Sequence, residues 1–136
     1  MSDAVEKPGC EYTQLDNGIH QFVFNSASKQ SIDEFFHQLE MILTNTPHTE
    51  MARYIVDITQ TGEQDISLVA NVQRFRRLET LFPHRARGRT VILHKPGLKF
   101  SFIDGFIRAL APSRDMTRFF PVDKRDEAVN WLLSQT

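Results

Sequence analysis

The sequence predicts a single α/β domain: a mostly parallel, mixed five-stranded sheet with an N-terminal hairpin and about four helices. Three observations carry that prediction. A β-branched run at 54–58 (Tyr-Ile-Val-Asp-Ile) passes through a polar loop into a helical pattern that stops at Pro83. Strand and helix patterns then alternate, so the whole chain reads β-β-α-β-α-β-α-β-α. Finally, Asp16-Asn17-Gly18 separates two strand-like runs. Helices between successive strands imply right-handed crossovers and parallel neighbours, and the hairpin adds an antiparallel edge.

Residues 1–9 read as a flexible tail closed by Pro8-Gly9, and 10–136 as the domain. The runs 11–15 and 19–25 flank the hairpin turn, where Asn and Gly tolerate positive φ. In the second run Ile19, Phe22 and Phe24 do not alternate strictly, which suits a strand buried on both faces over part of its length. Ser31 with Glu34 has the form of a capping box opening the first helix. Its Ile32, Phe35, Phe36, Leu39, Ile42 and Leu43 follow the spacing of one buried face, and Thr46-Pro47 ends it. After the 54–58 strand, Leu68, Val72, Phe75, Leu78 and Phe82 form the stripe of the second helix, with Arg74 and Arg77 pointing away from it.

The run 90–93 (Thr-Val-Ile-Leu) reads as a short buried strand. A third helix is expected over about 98–110, where the apolar residues cover roughly 200° of the wheel rather than a narrow stripe. A last strand at 117–121 leads to a helix capped by Asp123 and docked by Ala128, Val129, Trp131 and Leu132.

A chain of 136 residues can bury its core without disulfides or metals. One cysteine, Cys10, excludes an internal disulfide and suits a reducing compartment. The N-terminus has no signal-peptide pattern, and no apolar run approaches the ~20 residues of a membrane span. A cytoplasmic, soluble protein is expected. The net charge of −1 hides an uneven distribution. Residues 1–73 carry 3 Lys/Arg against 11 Asp/Glu, whereas 74–99 carry 8 Lys/Arg against Glu79 alone. Such blocks attract each other or outside partners.

The order of elements resembles the STAS-like domains of anti-sigma-factor-antagonist (SpoIIAA-like) type, with their CRAL-TRIO-like relatives, over roughly 10–134. The segment Tyr-Ile-Val-Asp-Ile-Thr at 54–59 is similar to that family's central strand ending in an aspartate. Asp65-Ile66-Ser67 stands where the regulators carry Asp-Ser-Ser/Thr-Gly, so Ser67 falls on their phosphorylated position. Ile66 and Leu68 replace the Ser and Gly there, a feature of the divergent branch whose role is largely unassigned. The run 119–132 is similar to the family's last strand and helix. The resemblance implies a regulatory module acting through protein–protein contacts, or a ligand carrier or sensor of CRAL-TRIO-like type.

Asp57, Thr59, Asp65 and Ser67 are therefore candidates for partner contact or phosphorylation. They should gather with His94 at the carboxyl ends of the strands, where open α/β sheets bind ligands. The plainer alternative makes Asp65 or Ser67 an N-cap and has Asp57 hydrogen-bond loop amides. Phe100, Phe102 and Phe106 in the third helix have three readings: a helix buried on two sides, a pocket for a lipophilic ligand, or a homodimer interface. Arg74, Arg77, His94 and Lys95 are candidate anion contacts, against the alternative of a solvated basic face partly neutralised by the acidic first half. Nucleic acid is disfavoured, since few aromatics interleave the basic residues. No enzyme, metal or cofactor is expected. The five histidines lack ligand spacing, and there is no phosphate-cradling Gly-rich loop or nucleophile elbow. His94 with Asp57 is the one acid–base pair that adjacent strand ends would assemble.

Overall fold

The computed structural model describes residues 9–26, 28–60, 68–96 and 116–134, with backbone alone at 68–72 and 75. The strands are β1 (Cys10–Gln14), β2 (His20–Phe24), β3 (Met51–Asp57), β4 (Arg87–His94) and β5 (Met116–Pro121). The helices are α1 (Lys29–Asn45) between β2 and β3, α2 (Leu68–Leu81) between β3 and β4, and α3 (Arg125–Leu133) at the end. All five strands lie in one sheet, in the order β1-β2-β3-β4-β5. Only β1 and β2 pair antiparallel; the other neighbours are parallel. The chain is thus α/β with a mixed, mostly parallel five-stranded sheet. Three α-helices stand among the described residues where about four were expected, and the expected helix at 98–110 lies outside them. No helix among them is long and apolar enough to cross a membrane.

The hairpin closes as its sequence suggests, with one refinement. Leu15 N–H donates to the Ile19 carbonyl at 2.8 Å, leaving Asp16, Asn17 and Gly18 as the loop. Among the described residues Gly18 alone has positive φ, at 86°, while Asn17 Oδ1 accepts from Ile19 N–H at 3.2 Å. A three-residue loop needs the left-handed conformation only at its last position. Asn17 therefore contributes its side chain rather than its backbone freedom.

The expected capping box is corrected. The N-cap of α1 is Ser28, whose Oγ accepts from Ser31 N–H at 3.2 Å. The helix starts two residues before Ser31, so Glu34 sits a turn too far along to reach the cap. Its carboxylate accepts instead from Cys10 N–H at 3.2 Å. Ser31 is wholly buried and shares hydrogen bonds with the hydroxyls of Ser26 and Ser28. Gly9 lies against it so closely that a Cβ there would come 2.1 Å from Ser31 Oγ.

Both faces of the sheet are covered. On one, Phe22, Phe24, Tyr54, Val56 and Ile92 meet Phe35, Phe36, Leu39, Ile42 and Leu43 of α1 and Leu78 of α2. On the other, Ile19, Ile55, Val91 and Leu93 meet Ala128 and Leu132 of α3. Two successive right-handed crossovers in one direction leave both their helices on the same face, so the opposite face falls to α3. Ile19 faces α3 while Phe22 and Phe24 face α1, which accounts for the broken alternation in that run.

The final helix also departs from expectation. A single 3₁₀ turn (Val122–Lys124) holds Asp123, and α3 begins after it with no side-chain cap at Lys124. Asp126 and Glu127 in its first turn supply the negative charge that the helix dipole favours there.

Candidate functional site

At the carboxyl rim of the sheet, β3 ends on Asp57 and β4 on His94, with Lys95 the next residue along. Asp57 Oδ1 accepts from Thr59 N–H at 2.9 Å and from Thr59 Oγ1 at 2.6 Å, a local turn that holds the carboxylate in place. Ile58 N–H donates to the Leu93 carbonyl at 2.9 Å, which keeps the two strand ends together. Asp65 and Ser67 lie outside the described residues, as do Phe100, Phe102 and Phe106.

Asp57 and His94 do not form an acid–base pair. Asp57 is the register partner of Leu93, so its side chain shares the α3 face with Leu93 and Ile55. His94, one residue on, belongs to the other face, because successive strand side chains alternate. It is buried at 8% exposure, its Nδ1 lies 2.7 Å from the Lys95 carbonyl, and its ring is tilted against Phe119.

The candidate anion contacts separate. Arg74 Nη1 donates to Asp33 Oδ1 at 2.6 Å and the guanidinium lies over the Phe36 ring, so this arginine fastens α2 to α1. That hydrogen bond draws the Asp33 carboxyl below its usual range. Arg77 and Lys95 are exposed.

At the opposite, amino end of the parallel strands lies a groove of about 500 Å³ between β1, β2, the start of β3 and the second half of α1. Tyr12, Gln14, His20, Gln38, Asn45 and Glu50 are among its lining. Tyr12 Oη and His20 Nδ1 are 2.7 Å apart, and the two rings stack. Burial lowers the pKa of His20 and raises that of Tyr12, so both are biased toward their neutral forms. Nothing in the linear sequence marks this pair. Only the hairpin register, with Gln14 opposite His20 and Tyr12 opposite Phe22, sets them on one face.

A second arrangement is invisible in sequence. Arg53 and Arg89 are register partners on β3 and β4, on the α3 face. Arg53 Nε donates to the Leu132 carbonyl at 2.7 Å. Arg89, only 2% exposed, donates through Nη1 to the carbonyls of Trp131 and Ser134 at 2.8 and 2.9 Å. Both serve the end of α3, where free carbonyls gather and the dipole favours positive charge. Arg89 and Arg118 also lie over the Trp131 ring. Part of the basic block at 74–99 is thus structural.

Cys10 is buried, and burial with nearby Glu34 pushes its thiol up to about 12, which makes it a poor nucleophile. Among the described residues no group of His, Cys, Asp and Glu is arranged to hold a metal ion. Comparison with known proteins finds no matching family, no matching curated protein and no matching solved structure.

Proposed function

We propose that this chain is a non-catalytic binding or regulatory module of STAS-like type, acting through protein contacts at the carboxyl rim of its sheet. The observation that supports this reading is the parallel register of β3 and β4, with Asp57 opposite Leu93. That register puts Asp57, Thr59 and the exposed Lys95 at one end of the sheet, the end where α/β sheets generally receive ligands. The turn Asp57 makes with Thr59 is already closed. A preformed polar loop loses little conformational freedom when a partner docks, which favours recognition.

The test uses the full chain as bait in extracts of its native host, alongside Asp57→Ala and Thr59→Val variants, with phosphopeptide mapping of Ser67. A stoichiometric protein partner retained by the parent and lost by both variants supports the reading. Native mass spectrometry that instead finds a few hundred daltons of bound small molecule, with capture indifferent to both substitutions, replaces it with a ligand carrier.

A further inference from the structure

We propose that the lower half of the outer edge of β1, together with the groove beside it, takes up a short extended peptide carrying basic side chains, which joins the sheet as a sixth strand. This site lies at the opposite rim from Asp57 and Thr59, and either site can fail without the other.

In an antiparallel pair, residues alternate between bonding the partner strand and pointing their N–H and C=O away from it. Gly9 and Leu15 bond across to Asn25 and Ile19, which puts Glu11 and Thr13 in the bonded set. Cys10, Tyr12 and Gln14 therefore point their backbone groups outward, and β1 is an edge of the sheet. The upper part of that edge is closed, since Cys10 N–H donates to Glu34 Oε1. The outward N–H and C=O groups of Tyr12 and Gln14 bond no partner among the described residues. An open edge of this kind is a template for strand addition.

The groove supplies the second observation. Tyr12 and Gln14 line it with their side chains, so an added strand would set alternate residues over it. Its electrostatics favour a cation. Glu50 lines it, the last turn of α1 carries no basic residue, and the negative end of that helix dipole points toward it. Arg53 is the one Lys or Arg among the lining residues, and its guanidinium is engaged with α3 on the other face.

Fluorescence polarisation with the full chain tests this, using a labelled hexapeptide of alternating Thr and Lys as probe. Controls are the peptide with Glu in place of Lys and one N-methylated at alternate residues. Gln14→Pro removes an outward N–H without touching the β1–β2 ladder, Gln14→Ala keeps it, and Glu50→Lys reverses the groove charge. The expected result is binding by the parent and Gln14→Ala, weakened roughly tenfold or more by Gln14→Pro, Glu50→Lys and N-methylation, and absent for the Glu peptide. Amide shifts should centre on 12–14. Failure to bind at millimolar peptide, equal binding of the Glu peptide, or shifts confined to the carboxyl rim would overturn the proposal. So would self-association abolished by Gln14→Pro, or protection of β1 by residues 1–8 of the same chain.

Discussion

The two faces of the sheet are held by different chemistry. The α1/α2 face is an aromatic interlock: Phe22 and Phe35 meet edge-on with ring centroids 4.8 Å apart, and Phe35 meets Phe36 at 5.1 Å. The α3 face has few apolar contacts to offer, because α3 is nine residues long and fully buries only Ala128 and Leu132. So short a helix is marginal on its own. There the sheet reaches up with arginines to bind the helix carbonyls, and Arg125 at the other end donates to the Gln21 side chain of β2. A long amphipathic helix is oriented by its stripe, whereas a short one is oriented by its ends.

That contrast can be broken most forcefully on the aromatic side. Phe22→Ala removes a side chain that is 1% exposed, and a loss of about 3–5 kcal/mol is expected in urea unfolding. A loss below about 1 kcal/mol would mean the interlock is not what holds α1. On the α3 face, Leu132→Ala should cost about 2–4 kcal/mol. Arg89→Met keeps an apolar stem of similar reach but removes the guanidinium donor from the Ser134 carbonyl and one of three donors from the Trp131 carbonyl, at about 1–3 kcal/mol. Hydrogen exchange sharpens the comparison: Arg89→Met should speed exchange in α3 and leave α1 unchanged. Equal acceleration in both helices would show that the faces are not separately fastened.

Smaller effects follow at the hairpin and from pH. Gly18→Ala meets no steric obstacle but must adopt positive φ, so about 1 kcal/mol is expected. Burial lowers the His20 pKa below 6.5, so the unfolded chain takes up the proton more readily. Its contribution is complete above pH 6.5 and fades as pH falls through the folded value. The Cys10 thiol behaves oppositely: its contribution is present below pH 9.0 and fades as pH rises toward about 12. Urea midpoints across pH for His20→Gln and Cys10→Ala should each flatten one limb of the profile.

The elements that were legible are those specified by neighbours in sequence. The stripe of α1, the Asp16–Gly18 turn and the alternation of strand with helix all depend on spacing within a few residues. Ser31 misleads because Ser28 is an equally good cap three residues earlier, and tertiary contact decides between them. Ser31 is more valuable buried beneath Gly9, within a network of three hydroxyls. Asp57 and His94 mislead because being at adjacent strand ends does not imply sharing a face. Arg89 reads as one charge in a basic block, yet it is among the most deeply buried side chains of the described chain.

By itself the sequence determined the order of the described elements, the antiparallel start and the parallel remainder, since hydrophobic periodicity and turn chemistry act over short range. The tertiary structure alone decided which polar groups meet: Tyr12 with His20, Arg53 and Arg89 with the end of α3, and the groove at the amino end of the strands. Those meetings depend on strand register, which couples residues tens of positions apart and leaves no periodic trace in the chain.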